Sequence, residues 1–425
     1  MTLSIGELAD EIFGTDVPFQ VHAYDGSTGG NRDAGISFEL KSERGLRYLV
    51  TAPGELGLAR AYVQGDLEVV GVDPGDPYEL LVRVKDRMGA RIPDPRRIPD
   101  LVRSLGARMF VPPELPALEH PPGWRRLAEG IRHSKERDAK AISHHYDVSN
   151  AFYEHVLGPS MAYTCAVYPR VDATLEEAQE EKFDLVARKL DLRPGMRLLD
   201  VGCGWGGMVR HAVKHYGVRA IGVTLSREQA AFGQQWLAAE GLNRLGEVRH
   251  GDYRDITESD FDAVSSIGLT EHIGIKNYPG YFAFLSERLV DGGRLLNHCI
   301  TRPNRHFTRL ERGGFINRYV FPDGELAPVG VIINAMADQG FEVRHAEDFR
   351  EHYARTCRAW AKNLSANWDA AVAESDAATA RVWGLYLAGS SIGFERNEIQ
   401  LHQVLGQKVA AGGQALYPLR PDFGS

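Results

Sequence analysis

From residue 197 to residue 406, short apolar runs alternate with stretches in which apolar residues recur every three or four positions. The runs are typical of buried strands, and the stretches are typical of amphipathic helices. Strands that alternate with helices build a mostly parallel sheet with helices on both faces, so the pattern predicts an α/β fold. Seven strands are predicted, at 197–201, 219–224, 247–250, 262–267, 293–299, 341–345 and 399–406.

Two connections between these strands are longer than a simple crossover. They span residues 300–330 and 350–395, and both contain helical patterns. Long connections inside a compact domain are usually functional. We therefore expect helical insertions near these positions that form a lid over a substrate pocket.

The first 118 residues carry a different pattern, which predicts a smaller α+β domain. Residues 36–40 alternate as a strand does, residues 53–62 have a helical pattern, and residues 46–50 fit either a strand or the start of a helix. Proline-rich punctuation between residues 92 and 122 marks a domain boundary. The predicted order is an N-terminal α+β domain at 1–118, a basic linker or helix at 119–140 and a second domain at 141–425.

The chain of 425 residues has a formal net charge of −8, but the charge is unevenly distributed. Residues 83–140 hold 14 Lys and Arg against 8 Asp and Glu. A basic segment on an acidic protein predicts contact with an anionic surface such as phospholipid headgroups, although a solvated linker can have the same composition. We expect no nucleic-acid partner.

Membrane spans, export signals and cysteine motifs are not evident in the sequence. No apolar run reaches the roughly 18 residues of a membrane span, and the first residues, MTLSIGELADEIFG, lack the basic start and apolar core of a signal peptide. We therefore expect a cytoplasmic protein. The four cysteines show no CxxC spacing, so neither a metal site nor a disulfide framework is predicted.

A glycine-rich turn follows the first strand of the predicted sheet. The segment LLDVGCGWGGM at 198–208 reads as strand, tight turn and helix, with glycines at 202, 204, 206 and 207. Glycines let the backbone approach a ligand closely, and the start of the helix offers free N–H groups. A purely structural turn and a dinucleotide-binding turn are the alternatives at this point.

The ends of the next strands narrow the choice of ligand, because ligands of open α/β sheets bind at the carboxyl ends of the strands. No acid stands at the end of the second strand to hold ribose hydroxyls, but Thr224 and Gln229 could form neutral hydrogen bonds there. After the third strand, Asp252 could accept from an adenine amine and Tyr253 could stack on the ring. This series favours S-adenosylmethionine (SAM) over a nicotinamide dinucleotide.

Several motifs give the chain a specific resemblance. It resembles the cyclopropane fatty-acyl-phospholipid synthase family, which includes mycolic-acid cyclopropane synthases and bacterial fatty-acid C-methyltransferases. The N-terminal segments PGELG (53–57) and GDL (65–67) resemble those of full-length phospholipid-acting members, and mycolic-acid members lack that domain. The motifs of the second domain are HYDVSN (145–150), YTC (163–165), DVGCGWGG (200–207), GVTLS (222–226), DYRD (252–255), EHIG (271–274), FINRYVFPDG (315–324) and IQLHQV (399–404).

The resemblance implies a seven-stranded, Rossmann-like class I SAM methyltransferase core, with SAM at the glycine loop and a bicarbonate ion in the active site. Thr164 replaces the usual Ser, and Thr270 stands where the family has a bulky Phe or Ile, which affects the shape of the acyl pocket. The implied SAM-binding residues are Tyr163, Thr164, Asp200, Gly202, Gly204, Gly206, Thr224, Gln229, Asp252 and Tyr253. The implied bicarbonate ligands are Cys165, Glu271, His298, Ile300 through its backbone, and Tyr353, of which Cys165, Glu271, His298 and Tyr353 are the expected catalytic residues.

The implied reaction adds a one-carbon unit to the double bond of an unsaturated acyl chain in a membrane phospholipid. A carbocation on the chain is then deprotonated by bicarbonate, which gives a methylene or methyl-branched chain or, alternatively, a cyclopropane ring. Saturation of a methylene branch needs a separate flavin- or NADPH-dependent reductase as partner. Aromatic residues that could exclude water from the cation are Trp205, Phe315, Tyr319, Phe321 and Tyr353.

Two other classes of function stay open at this stage. A small-molecule N- or O-methyltransferase needs neither the bicarbonate ligands nor an N-terminal lipid-facing domain. In a non-catalytic lipid-binding protein we would expect the glycine loop to have lost its glycines, whereas the loop here is intact. For the leading hypothesis, an enzyme that acts on phospholipid, we expect a peripheral position on the inner face of the cell membrane. A homodimer is left open.

Overall fold

The computed structural model describes residues 3–87, 105–120, 148–304, 314–322, 324–414 and 417–424. The chain divides into two compact units. The first comprises Met1–Gly123, Glu311–Pro322 and Ala361–Ile392, and the second comprises Trp124–Leu310, Asp323–Trp360 and Gly393–Ser425. Most of the predicted basic segment at 119–140 lies outside the described residues, so it stays a prediction.

The N-terminal part of the first unit combines a four-stranded sheet with helices, as expected for an α+β fold. The sheet order is β2-β1-β3-β4; β1 and β3 are parallel, and the other two pairs are antiparallel. Its strands are β1 (Gln20–Ala23), β2 (Thr28–Gly30), β3 (Ser37–Leu40) and β4 (Leu67–Val70). Its helices are α1 (Ile5–Phe13), α2 (Glu43–Thr51), α3 (Glu55–Val63) and α4 (Tyr78–Arg87).

Local capping explains why residues 46–50 are helical rather than extended. Ser42 precedes α2, and its hydroxyl accepts a hydrogen bond from the Gly45 backbone N–H at 3.1 Å. Such an N-cap satisfies one of the free N–H groups of the first turn. Leu46 and Tyr48 then lie on the buried face of α2 and pack with Leu67 of β4.

The second unit contains a seven-stranded sheet, and every strand predicted from the sequence is present within a few residues of its expected bounds. The sheet order is β10-β11-β9-β8-β5-β6-β7. The five strands from β9 to β7 are parallel, while β11 runs antiparallel to both β9 and β10. The strands are β5 (Arg197–Val201), β6 (Arg219–Thr224), β7 (Gly246–His250), β8 (Phe261–Ile267), β9 (Leu289–Thr301), β10 (Phe341–Asp348) and β11 (Gln400–Lys408).

Helices cover both faces of this sheet, which confirms the α/β fold. One apolar cluster includes Val186, Val209 and Leu237, which lie on three different helices. A second includes Phe282 and Ile332, which lie on two further helices. The helices after residue 148 are α5 (Asn150–Leu157), α6 (Leu175–Leu190), α7 (Gly207–Tyr216), α8 (Arg227–Ala239), α9 (Thr270–Ile273), α10 (Tyr278–Arg288), α11 (Phe315–Tyr319), α12 (Val329–Ala337), α13 (Arg350–Ala366), α14 (Trp368–Glu374) and α15 (Ala377–Glu395).

The two long connections are helical where the structure describes them. The first contains α11, and the second consists of α13, α14 and α15. Parts of both, Glu311–Pro322 and Ala361–Ile392, belong to the first compact unit. Their action as a lid stays a prediction. Among the described residues, no helix combines the length and apolar character needed to cross a membrane.

Candidate active site

A cleft of about 1110 Å³ lies in the second unit, where the loops that follow β5, β6, β7 and β8 meet. This is the edge at which an open α/β sheet binds its ligand. Gly206, one of the ten residues expected to bind SAM, is not part of the lining; it directly precedes α7, and a Cβ there would come within 2.8 Å of Val248. The other nine line the cleft: Tyr163, Thr164, Asp200, Gly202, Gly204, Thr224, Gln229, Asp252 and Tyr253.

Gly204 keeps the glycine loop open toward a ligand. Its φ is 55°, a left-handed conformation that residues with a side chain rarely adopt. A Cβ added at Gly204 would meet no protein atom within 4 Å, although the residue lines the cleft. A larger side chain would therefore take up space in the cleft rather than clash with the protein.

The polar groups at the ends of β6 and β7 are held by hydrogen bonds within the protein. The Thr224 hydroxyl donates to Gln229 Oε1 at 2.8 Å, which leaves the Gln229 amide N–H groups to face other partners. Asp252 accepts from the Arg254 guanidinium at 2.5 and 2.7 Å. An adenine amine that binds Asp252 must therefore share the carboxylate oxygens with Arg254 or displace it.

A buried lysine that the sequence reading did not single out lies on the cleft wall. Lys182 of α6 donates to the Thr164 hydroxyl at 3.1 Å and is fully buried. Burial lowers the pKa of Lys182 to about 7, and the nearby Asp200 carboxylate partly opposes this shift. Burial likewise raises the pKa of Asp200 to about 6, while a 2.6 Å hydrogen bond from Ser265 stabilises its charged form. At neutral pH this lysine is therefore only partly protonated.

Glu271 is buried, and the described structure gives a hydrogen-bond partner to only one of its two carboxyl oxygens. Its Oε1 accepts a hydrogen bond from the Ile300 backbone N–H at 2.7 Å, so two of the expected bicarbonate ligands bind each other. Its Oε2 is buried and has no hydrogen-bond partner among the described residues. Burial raises the pKa of Glu271 to about 7. A carboxyl group in this state can hold or share a proton near neutral pH.

In His298 of β9, likewise, only one of the two ring nitrogens has a hydrogen-bond partner among the described residues. Its Nδ1 lies 3.2 Å from Gln403 Nε2, and its Nε2 is buried with no hydrogen bond to the described part of the chain. Burial holds the pKa of His298 well below its usual value, and the positive charges of Lys182 and Lys189 lower it further. The imidazole is therefore neutral at physiological pH.

Cys165 and Tyr353 form a second group of expected ligands. The Cys165 thiol is fully buried and lies 3.8 Å from the Phe349 carbonyl oxygen, which also accepts from the Tyr353 backbone N–H at 3.0 Å. Burial raises the pKa of the Cys165 thiol well above its usual value, so the group stays protonated. The Tyr353 ring stacks on Phe394 at 4.5 Å.

The five expected bicarbonate ligands are all in the second unit, but they do not line the cleft itself. Their neighbours do, including Thr164 beside Cys165 and His272 beside Glu271. The Gly268 backbone N–H, from the loop after β8, donates to the His298 carbonyl oxygen at 2.8 Å. Two contacts link members of this set: the Glu271 carboxyl group accepts from Ile300, and Cys165 and Tyr353 share the Phe349 carbonyl oxygen.

The aromatic residues expected to exclude water belong to two different units. Trp205 lines the cleft, donates through Nε1 to Asn150 at 2.8 Å, and lies 4.9 Å from the Tyr153 ring. Tyr353 belongs to the same unit. The other three belong to the first unit: Phe315, Tyr319 and Phe321.

Sheet order, glycine loop and cleft together define a class I SAM-dependent methyltransferase. Four of the five parallel strands end at the cleft, the glycine loop follows β5 in the middle of those five, and the antiparallel β11 lies between β9 and β10. The chain belongs to the mycolic acid cyclopropane synthetase family, whose model matches residues 133–404.

Three comparisons bear on the branch of this family. A probable fatty acid methyltransferase of Mycobacterium tuberculosis is 57% identical over 99% of this chain and 98% of its own length. The cyclopropane-fatty-acyl-phospholipid synthase of Escherichia coli is 32% identical over 86% of both chains. A crystal structure of the mycolic acid cyclopropane synthase CmaA1, complexed with SAH and CTAB, is 34% identical with a TM-score of 0.60 and covers 64% of this chain and 98% of its own. The protein is thus an enzyme of a family with fatty acid methyltransferases and cyclopropane synthases.

Two buried lysines and a glutamine are site residues that the sequence reading missed. Lys182 and Lys189 lie seven residues apart on the apolar stripe of α6, among buried Phe183 and Val186. A charged residue at such a position signals a buried partner, because an unpaired buried charge is costly. Gln403 was visible as part of the motif IQLHQV, but its partner could be found only from the pairing of β11 with β9.

Proposed function

We propose that the protein transfers a one-carbon unit from SAM to the double bond of an unsaturated acyl chain in a membrane phospholipid, and that its product is a methylene-branched chain. The M. tuberculosis relative named a probable fatty acid methyltransferase is far more similar than the E. coli cyclopropane synthase, and it aligns along the whole chain. That alignment includes the N-terminal unit, which supports a phospholipid-acting rather than a mycolic-acid-acting enzyme.

The residues around the cleft suit SAM. S-adenosylmethionine, when bound, supplies an electrophilic methyl carbon that the π electrons of an alkene can attack. Gly202 and Gly204 allow close approach of the backbone, and the Gln229 amide can donate to the ligand. Tyr163 and Tyr253 also line the cleft and offer aromatic rings to the ligand.

The protein has to protect the positive charge that such an attack leaves on the acyl chain. Water would hydrate the cation, so the surroundings must exclude it. Trp205 and Tyr353 are buried, with exposed fractions of 4% and 6%. The Cys165 thiol stays neutral and protonated, so it does not compete as a nucleophile.

One observation carries the proposal: Glu271 and His298 each hold a buried polar atom with no hydrogen-bond partner in the described structure. Buried polar atoms are nearly always hydrogen-bonded, so each of these two unpaired atoms is a candidate partner for a polar ligand. Bicarbonate, when bound, supplies a base that suits a carboxyl group able to share a proton and a neutral imidazole. An N- or O-methyltransferase needs no such site, because its substrate loses an ordinary acidic proton.

Whether a hydride shift precedes the loss of the proton determines the product. Loss from the newly added methyl group closes a cyclopropane ring, whereas a hydride shift and loss from the same carbon leave a methylene branch. The E. coli relative keeps ring formation as the second candidate. Thr270, buried at the start of α9, stands where the family has a bulkier residue, and we propose that this difference alters the acyl pocket and favours branching.

Further proposals concern partners and location. A methylene branch becomes a saturated methyl branch only through a reductase, so we propose a separate flavin- or NADPH-dependent partner. Substrate in a membrane requires the enzyme to act at the membrane surface, and the basic composition of residues 83–140 supports docking on anionic headgroups of the inner face.

Mass spectrometry of membrane phospholipids tests the proposed function. The enzyme is expressed in a bacterial host that makes neither cyclopropane nor branched acyl chains, with Glu271→Gln as the matched control. We expect acyl chains one CH₂ heavier than the unsaturated precursor, with the NMR signals of a C=CH₂ group in place of those of the internal CH=CH group. Upfield ring-proton signals would instead establish cyclopropane formation, and unmodified acyl chains with folded, SAM-binding enzyme would refute the proposal.

A further inference from the structure

We propose that Lys189 and Gln403 are positioning residues that fix His298 in the tautomer with its proton on Nε2, so that His298 acts as a hydrogen-bond donor and not as a base. The inference rests on the proposed function for the identity of the anion that receives this hydrogen bond. It assigns a role to Gln403, the second glutamine of the IQLHQV motif, which the proposed reaction leaves unexplained.

Four side chains form a continuous chain of contacts that ends at His298. Glu347 Oε2 lies 2.6 Å from Lys189 Nζ, and Lys189 Nζ lies 2.7 Å from Gln403 Oε1. Gln403 Nε2 lies 3.2 Å from His298 Nδ1. Gln403 of β11 is the register partner of both Glu347 of β10 and His298 of β9, so the three residues lie side by side across three strands.

The direction of each hydrogen bond follows from Lys189. An ammonium group only donates, so Lys189 must face the carbonyl oxygen of the Gln403 amide. The amide then presents its N–H group to His298 Nδ1, and that nitrogen must accept. A neutral imidazole whose Nδ1 accepts carries its proton on Nε2.

A carboxylate partner favours the charged form of Lys189. The lysine side chain has no exposed surface, and burial lowers the pKa of Lys189, while the 2.6 Å hydrogen bond and the charge of Glu347 partly oppose that shift. Gln403 is also fully buried. Water therefore cannot reorient the Gln403 amide. The direction of hydrogen bonding from Lys189 through Gln403 to His298, which we call the relay, stays fixed.

The tautomer determines what Nε2, on the far side of the His298 ring, can offer a ligand. Nε2 of His298 is buried and bonded to no described residue, and in this tautomer it presents an N–H. An N–H suits the oxygen of an anion. The only basic lone pair of the ring in this tautomer is on Nδ1, where it accepts from Gln403 on the side of the ring away from Nε2. The substrate proton must therefore leave to a group other than His298.

Nitrogen NMR of the full-length, ligand-free enzyme tests this assignment directly. The protein is labelled with ¹⁵N-histidine, and the His298 signals are identified by their loss in His298→Ala. We expect the wild-type ring to be neutral with its proton on Nε2. In Gln403→Glu, a carboxylate facing Nδ1 can only accept, so we expect the proton to move to Nδ1. A wild-type ring protonated on Nδ1, or a folded Gln403→Glu variant with an unchanged tautomer, would overturn the inference.

A matched control and a second variant complete the test. Gln407→Glu introduces the same change four residues along β11, where the buried Gln407 amide donates to the Gly292 carbonyl oxygen at 3.0 Å, and it should leave the His298 tautomer unchanged. Lys189→Met removes the group that orients the Gln403 amide and should give mixed tautomers. A single unchanged tautomer in this variant would also contradict the relay.

Activity separates this inference from the proposed function. In Gln403→Glu we expect kcat to fall by about tenfold or more, while the KM for SAM stays within about twofold, because the relay does not touch the cleft. Since the tautomer is measured without substrate, it can be confirmed even if the phospholipid experiment fails. A wild-type enzyme that modifies acyl chains but carries its His298 proton on Nδ1 would refute the relay alone.

Discussion

At the scale of single residues, the site is built from polar groups placed where water does not reach. Glu271 has a buried carboxyl group, Lys182 a buried amino group that is only partly protonated at neutral pH, and His298 a buried neutral imidazole. Each is costly to bury, because the charged forms lose their hydration. Such groups are retained at functional sites, where their altered proton affinities serve chemistry.

The pKa of Glu271 leads to a pH-dependent stability difference. The carboxyl titrates at about 7 in the folded protein and at 4.5 when unperturbed, so the folded state binds this proton more tightly. The carboxyl therefore costs stability increasingly as pH rises from the lower value to the higher one, and the cost is constant above it. Glu271→Gln removes that cost, and relative to wild type it should gain about 3 kcal/mol in unfolding free energy between about pH 4 and about pH 8.

Denaturant unfolding of both proteins at the two pH values measures this gain. The difference between variant and wild type is the informative quantity, because other titrating groups are shared and cancel. A difference that stays constant with pH would show that Glu271 is not held protonated by burial.

Gly204 gives a residue-scale prediction for cofactor binding. Gly204→Val places a branched side chain in the cleft and strains a backbone with a φ of 55°. We expect SAM affinity, measured by calorimetry, to fall by about tenfold or more, which corresponds to about 1.4 kcal/mol. The matched control is Gly217→Val, since Gly217 has a φ of 62° and is not part of the cleft lining. Near-normal affinity in a folded Gly204→Val variant would contradict the placement of SAM.

At the scale of elements, the sequence pattern predicts the strands well because burial imposes it. The strands at 197–201 and 219–224 were expected with the bounds that the structure shows. The strand expected at 293–299 is longer, Leu289–Thr301, because Gly292 and Gly293 resemble a turn in the sequence but form an irregular start of β9. Glycine signals turns and strand irregularities alike, so pattern alone cannot separate them.

The candidate site was predictable only in part, for a physical reason. Residues at strand ends, such as Asp252 and Thr224, follow from chain order because parallel strands end at one edge of the sheet. The relay through Gln403 and Lys189 depends instead on the register of β11 against β9 and on a helix packed over the sheet. Neither register nor packing leaves a local signal in the sequence.

A buried ion cluster in the first unit gives an element-scale prediction. Glu119 has no exposed side-chain surface; it accepts from Arg60 of α3 at 2.6 and 2.7 Å and from Arg318 of α11 at 2.8 Å. Glu119→Ala leaves two buried arginines unpaired and should destabilise the protein by about 3–5 kcal/mol. Thermal unfolding against the exposed control Glu114→Ala measures this, and equal stabilities of the two variants would contradict the assigned role.

At the scale of the whole molecule, uneven charge predicts salt-dependent membrane binding. Residues 83–140 hold 14 Lys and Arg against 8 Asp and Glu on a chain of net charge −8. Replacing Arg125, Arg126 and Arg132 together with Gln should weaken co-sedimentation with anionic liposomes by about tenfold or more, at about 1 kcal/mol for each charge near the surface. Added salt should weaken wild-type binding in the same way, because it screens surface charges.

The control for this experiment removes the same charge elsewhere. Arg219, Arg227 and Arg244 are exposed residues of the second unit, and their joint replacement with Gln should leave liposome binding unchanged. Binding that is indifferent to salt, to lipid charge and to both triple variants would rule out docking through the basic segment.

The central claim of this account is that the substrate proton leaves to an anion held by Glu271 and His298, rather than to a side chain. The most direct measurement is the turnover of purified enzyme on unsaturated phospholipid vesicles as a function of bicarbonate concentration. Depletion of bicarbonate should slow the wild-type enzyme and addition should restore the rate, while Glu271→Gln should lose about 100-fold or more in turnover at every concentration, the scale of a lost acid–base function. A rigorously bicarbonate-free enzyme that runs at full speed would contradict the claim and make Glu271 itself the base.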